Sequence, residues 1–201
     1  MKRAGSLRLI FTLALAGLAA GLVLVSVFLA TQPLIQRNQA EELEAAIFRV
    51  LPGATSCKAF VLSEGGLVAI EDEAALPSGE AVYAGYDAQG TLIGYGIPGQ
   101  GAGFQDTIKL IFGFDPARRL IIGMQVLESR ETPGLGDKIL KDQIFLENFH
   151  ALQVDPEILS VKHGTKSLPN QVDAISGATI SSKAIVTILN QSTTRWSSHL
   201  P

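Results

Sequence analysis

The sequence predicts an α+β protein: an N-terminal transmembrane helix followed by one domain of antiparallel sheet and helices. Three observations carry this. Residues 9–30 form an uncharged apolar run. Alternating strand patterns then come in turn-linked pairs. Helical patterns cluster after the paired strands instead of alternating with them, which argues against a parallel α/β sheet.

The apolar run, LIFTLALAGLAAGLVLVSVFLA, extends from Leu9 to Ala30. At about 1.5 Å per residue its 22 residues span roughly 33 Å, enough for a bilayer core. Cleavage after Ala30 would place Phe28 at the −3 position, where a signal peptidase needs a small residue, so an uncleaved anchor is expected. Lys2, Arg3 and Arg8 precede the run, whereas the far side has Arg37 but also Glu41, Glu42 and Glu44. The positive-inside rule then leaves residues 1–8 in the cytoplasm and the domain on the other side. Gly17 and Gly21 make a G-x-x-x-G step, which is either a helix-packing face or ordinary membrane-helix composition.

A connecting helix is expected within 31–52, with Leu43, Ala46, Ile47 and Val50 on one face and Pro52-Gly53 as its stop. The domain proper is expected over 53–193, with a tail at 194–201. Within it, AVYAGYD (81–87) and TLIGYGI (91–97) read as a hairpin, and TIKLIFGFD (107–115) with LIIGMQVLES (120–129) as a second, turning at Asp115-Pro116. KDQIFLENFHA (141–151) reads as a helix, ILSVKHG (158–164) as a strand, and a last helix is expected to begin near Ser181 with Ala184, Ile185, Ile188 and Leu189 on one side.

Composition narrows the function. The 201 residues carry a net charge of −3. Three of the 16 basic residues and no acid lie in 1–30, leaving 13 basic against 19 acidic residues, or −6, for the rest. An acidic domain of this kind excludes nucleic acid as a partner. The single cysteine, Cys57, permits no internal disulfide, and His150, His163 and His199 lack metal-ligand spacing. Neither a metal site nor a catalytic acid–base pair is expected. Gly94-Tyr-Gly96-Ile-Pro-Gly99 matches G-x-G-x-x-G, but Pro98 lacks an N–H, no helix pattern follows, and no acidic residue ends a second strand. It reads as a glycine-rich loop between the hairpins, either a plain connector or a place where backbone approaches a flat ligand.

Two stretches bear chemistry. In VDAISGATISS (172–182), a helix start after Thr179 offers free N–H groups and a positive dipole end, a geometry suited to phosphate. Gly177 and Ala178 remove bulk, and Ser176, Ser181 and Ser182 add hydroxyls. The alternative is that Thr179 or Ser181 merely caps the helix. In ETPGLGDK (131–138), Pro133, Gly134 and Gly136 build a tight turn with Leu135 at its tip, either a plain turn into a helix or a lip with Thr132 facing a ligand.

Together these stretches resemble the FMN-binding domain family, in particular its G-subunit branch from Rnf-type ion-translocating electron-transport complexes. VLPGA (50–54), ETPGLGDKI (131–139), VKHG (161–164) and SGATISS (176–182) carry the likeness, and the flavinylation signature D-x-x-[ST]-G-A-T is met by Asp173, Ser176, Gly177, Ala178 and Thr179. The resemblance implies that Thr179 carries FMN as a phosphoester, attached by a separate Mg-dependent flavin transferase that uses FAD. It also implies that Glu131, Thr132, Leu135 and Gly136 lie against the flavin ring, with Ser176, Ser181 and Lys162 as further cofactor contacts. It departs from the family where Glu128-Ser129-Arg130 replaces a histidine-bearing step and where Gly101-Ala-Gly-Phe104-Gln replaces an aromatic-glycine step.

The resemblance further implies an electron-transfer component in the bacterial inner membrane, working between ferredoxin and NAD beside other membrane and redox subunits. Two alternatives remain open at this level: the C-type FMN subunit of a sodium-translocating NADH:quinone reductase, and a flavin-free tethered assembly module.

Overall fold

The computed structural model describes residues 3–63, 66–70 and 81–200. The start of the expected cytoplasmic segment, Met1 and Lys2, and the last residue of the tail, Pro201, lie outside the described residues. The chain forms two compact units, Met1–Glu42 and Leu43–Pro201.

The expected membrane segment and connecting helix are one uninterrupted helix, α1 (Arg3–Val50), which includes Pro33. Among the described residues it is the one helix long and apolar enough to cross a membrane. The hydroxyls of Thr12, Ser26 and Thr31 donate to the carbonyls of Arg8, Leu22 and Val27 at 2.8, 2.7 and 2.9 Å, so these three hydroxyls are satisfied within the helix. The unit boundary falls at 42/43, not at 52/53. Ala46, Ile47 and Val50, on the face read from the sequence, are buried in the domain core and make the last turns of α1 part of it. Pro52 and Gly53 (φ +94°) then end the helix as expected.

The domain is built on a seven-stranded antiparallel sheet ordered β2-β1-β3-β4-β5-β6-β7. Its strands are β1 (Ser56–Ser63), β2 (Gly66–Ile70), β3 (Ala81–Tyr86), β4 (Leu92–Ala102), β5 (Thr107–Asp115), β6 (Leu120–Glu128) and β7 (Leu152–Gln153). Both expected hairpins form. Asp87 Oδ1 accepts from the Gln89 and Thr91 N–H groups in the first turn, and Asp115 Oδ1 from the Arg118 N–H in the second. The strand pair β1–β2 was not expected from the sequence. After β6 come a 3₁₀ turn (Gly136–Leu140), α2 (Gln143–Glu147), β8 (Leu159–Val161), β9 (Gln171–Asp173) and α3 (Thr179–Trp196). β8 and β9 pair in parallel as a separate two-stranded sheet, an exception to the otherwise antiparallel expectation.

Alternation along β5 sorts the core. Ile108, Leu110, Phe112 and Phe114 join the main cluster with Ile185, Ile188, Leu189 and Trp196 of α3, while Ile111 on the other face packs with Ile47, Val50 and Leu51. Fully burying each of these large side chains contributes about 1.5–3 kcal/mol, so both faces of the sheet are held by helix.

The glycine-rich segment is not a loop. It runs within β4, and two of its glycines, Gly99 and Gly101, make room for a helix. A Cβ on Gly99 would lie 2.8 Å from Ile188 Cγ2 and 2.7 Å from Ser192 Oγ, and one on Gly101 would lie 2.7 Å from Ile188 Cγ1. α3 therefore rests directly on the strand backbone. Pro98 is tolerated because it lies beyond the pairing with β3, which reaches only Tyr83↔Gly96. Gly99→Val is expected to destabilise the domain by roughly 1–3 kcal/mol through overpacking, read as a lower denaturant midpoint with an unchanged slope.

Candidate functional site

The signature stretch is built from β9 into α3. Asp173, at the end of β9, points its Oδ1 at the N–H groups of Thr165 and Lys166 (3.2 and 3.0 Å), clasping the loop that follows β8. The chain then turns through Ile175–Ala178, closed by the Ala178 N–H donating to the Ile175 carbonyl at 3.0 Å. Gly177 has φ +84°, the left-handed value that the third position of a type II turn requires, and here only glycine adopts it without strain. Ser182 locks the turn: its hydroxyl accepts from the Ile175 N–H at 3.1 Å and donates to the Ala178 carbonyl at 2.9 Å. Ile175 and Ala178 are buried and anchor it.

The turn delivers α3 two residues earlier than the sequence suggested. The N-cap is Ala178, with no side-chain capping bond, so neither Thr179 nor Ser181 is a cap. The first bond into the helix runs from the Ser182 N–H to the Ala178 carbonyl, which leaves the N–H groups of Thr179, Ile180 and Ser181 without a partner among the described residues, at a helix start with no acidic residue in its first turn. Thr179 is exposed, and among the described residues its hydroxyl makes no hydrogen bond.

Around this helix start lies a cleft of about 320 Å³ lined by Phe104, Thr132, Leu135, Gly136 and residues 177–181. Three large apolar side chains on its rim stay open to solvent: Phe104 (64%), Leu135 (52%) and Ile180 (56%). The ETPGLG turn forms one wall. Gly134 has φ +78°, the Leu135 and Asp137 N–H groups donate to the Thr132 carbonyl, and the Thr132 hydroxyl donates to Gln105 Oε1 at 2.9 Å. A Cβ on Gly177 would lie 3.9 Å from Leu135 Cδ2, so the two motifs meet across the cleft. A larger hollow of about 540 Å³, lined by Gln100, Asp106, Lys109, Glu128 and Arg130 among others, contains no signature residue. Its charged side chains pair with one another, as in Lys109–Glu128 at 2.7 Å.

Glu131 sits beneath the cleft, only 5% exposed. Its Oε1 accepts from the Phe104 and Gln105 N–H groups at 2.9 and 3.0 Å, and its Oε2 accepts from the Ser181 hydroxyl at 2.6 Å. Burial pushes this carboxyl up, but the bonds from Ser181 and from the backbone of Gln105, Asp106 and Phe104 together outweigh it and hold it below the ordinary glutamate range.

Residues 103–194 match the FMN-binding domain family. Across 91% of this chain and 90% of the relative, the sequence is 33% identical to the G subunit of the ion-translocating oxidoreductase complex of Methanosarcina acetivorans. The chain belongs to the family of these G subunits. A shorter match, 33% identical over 55% of the chain and 52% of the relative, is to the G subunit of the Na(+)-translocating ferredoxin:NAD(+) oxidoreductase complex of Acetobacterium woodii. Two solved structures share the fold. NqrC of Shewanella oneidensis superposes with a TM-score of 0.63 at 16% identity, over 77% of this chain and 91% of that one. The C subunit of the Na(+)-translocating NADH-quinone reductase of Parabacteroides distasonis gives 0.62 at 24%, over 80% and 92%.

Within this family member the cleft gathers Thr132, Leu135, Gly136, Gly177, Ala178, Thr179 and Ser181. Other residues expected at the cofactor are placed differently. Glu131 is below the floor, not on the surface. Ser176 is exposed on the turn and is not part of the lining; Asp173, expected as part of the signature and not as a cofactor contact, is engaged with the 165–166 backbone. Lys162 is exposed in the loop after β8, where its carbonyl accepts from Thr165. Sequence reading did not assign Phe104 and Ile180 to the site. Ile180 had a signal, since it is an apolar residue on the polar side of an amphipathic helix.

Proposed function

We propose that this chain carries FMN esterified through its phosphate to Thr179 and, as a G subunit, passes electrons within a membrane-bound ion-translocating oxidoreductase complex. The observation that supports it best is the pairing at one point of an unengaged threonine hydroxyl with three free N–H groups at a helix start. The N–H groups and helix dipole suit the phosphate, and the apolar rim of Phe104, Leu135 and Ile180 suits a flat, mostly apolar ring. When bound, FMN supplies the electron-carrying chemistry; the protein supplies position, exclusion of water and electrostatics.

Among the described residues no base makes a hydrogen bond with Thr179, so attachment falls to a flavin transferase using FAD and Mg. The Thr179 Oγ1–P bond forms, the pyrophosphate bond of FAD breaks with AMP leaving, and the hydroxyl proton goes to the transferase. The turn at Gly177 presents the hydroxyl outward for that enzyme. α1 anchors the chain, and the basic residues before it against the acidic ones after it favour the extracytoplasmic face for the domain. Protease added to intact spheroplasts is therefore expected to degrade the 43–200 domain, and its survival there would reverse the topology.

The test of flavin attachment is a denaturing gel. Protein from cells holding the transferase is expected to give a flavin-fluorescent band, and protein from cells lacking it none. A dark band in both would favour the flavin-free assembly module. Gly177→Ala is expected to cost about 1–2 kcal/mol through its left-handed φ and to lower flavin loading, read as fluorescence per unit of protein.

A further inference from the structure

Glu131 is separated from the cleft by a single layer of residues. Gly136 and Ser181 both line the cleft, and both touch the carboxylate. A Cβ on Gly136 would lie 2.6 Å from Glu131 Oε2, and the Ser181 hydroxyl is 2.6 Å from the same oxygen. Its other oxygen is held by the N–H of Phe104, a rim residue. The carboxylate thus lies directly against three residues that line the cleft, Phe104, Gly136 and Ser181.

Every donor to this carboxylate is neutral. Among the described residues no Lys, Arg or His forms an ion pair with it. The adjacent Arg130 turns outward instead, to Asp106 and Glu128 at 3.8 and 3.7 Å. Dipoles alone hold a full negative charge out of water directly under the ligand floor.

We propose that Glu131 is a fixed buried anion that lowers the reduction potential of the flavin held in the cleft above it. This rests on the FMN reading of the previous subsection. Added electrons raise the negative charge in the cleft, and an anion one residue layer away opposes them. The effect is little screened by salt because the charge is buried. Glu131 is a positioning and tuning residue and exchanges no proton or electron with the flavin.

The test is the midpoint potential of flavin-loaded full-length protein, wild type against Glu131→Gln, by spectroelectrochemistry at low and high salt. Glutamine keeps the shape: its amide oxygen accepts from the Phe104 and Gln105 N–H groups and its NH₂ donates to Ser181 Oγ. The expected result is a more positive potential in the variant, equivalent to roughly a tenfold or larger change in the reduced-to-oxidised ratio, and retained at high salt. Asp106→Asn, which removes an exposed carboxylate, is expected to shift it less and to lose that shift at high salt. Should Glu131→Gln fail to load flavin, Ser181→Ala reads the same field with opposite sign, because Oε2 loses its closest donor and the potential falls. A loaded variant with wild-type potential, or a shift that salt abolishes, overturns the proposal and leaves the FMN reading standing. Wild-type protein that carries no flavin overturns that reading instead.

Discussion

Thr179→Val is expected to abolish covalent flavin completely, with the domain still folded. Valine matches threonine in shape and branching but has no hydroxyl, so no phosphoester can form. Thr179 is exposed at the first position of α3 and its hydroxyl holds nothing else among the described residues, so the fold loses no bond. Surface changes of this kind are usually within about 0.5 kcal/mol. Thr179→Ser restores the hydroxyl and is expected to restore at least part of the attachment. Fluorescence on a denaturing gel and the thermal midpoint, measured together, separate the two consequences. Fluorescence surviving in the valine variant would place the linkage on another residue.

The second large effect is on stability. Glu131→Ala leaves the Ser181 hydroxyl and the Phe104 and Gln105 N–H groups without their acceptor and opens a void between the 103–106 turn, the ETPGLG wall and α3. Each buried donor left unpaired costs about 1–3 kcal/mol, so a total of roughly 3 kcal/mol or more is expected by chemical denaturation. The same carboxylate links stability to pH. Its folded-state value lies below its ordinary one of 4.5, so its contribution is fully present above that value and is lost as pH falls through the folded value. The stability gap between wild type and Glu131→Gln is therefore expected to be constant near neutrality and to narrow only in acid, below about pH 4.5. A gap that widens in acid would contradict the hydrogen-bonded, ionised state.

The parts of the fold legible in the sequence are those fixed by local patterning. The two hairpins announce themselves by alternation around Asp87–Gly90 and Asp115-Pro116, and the buried face of α1 by the spacing of Ala46, Ile47 and Val50. β1 and β2 carry mixed patterns because neither strand is deeply buried along its length, so periodicity is weak. The glycines of β4 suggest a loop by composition. For Gly99 and Gly101 the reason is the close approach of α3, an element roughly ninety residues away in sequence, and for Gly94 it is the crowding by Phe114, Ile122 and Leu51. The attachment motif was legible as a motif, but its geometry was not. That Thr179 is no cap depends on the turn at Gly177. That Glu131 lies beneath the cleft depends on Ser181, fifty residues on, and on the space left by Gly136. Such contacts between distant residues leave no local trace.

Peptide mapping of the native protein tests most directly whether Thr179 carries FMN. Chain purified from cells that contain the flavin transferase, denatured and digested with trypsin, is expected to yield the peptide spanning 167–183 heavier by one FMN less one water, with the added mass on Thr179. An unmodified peptide from such cells, or the flavin mass on Ser176, Ser181 or Ser182, would contradict the assignment.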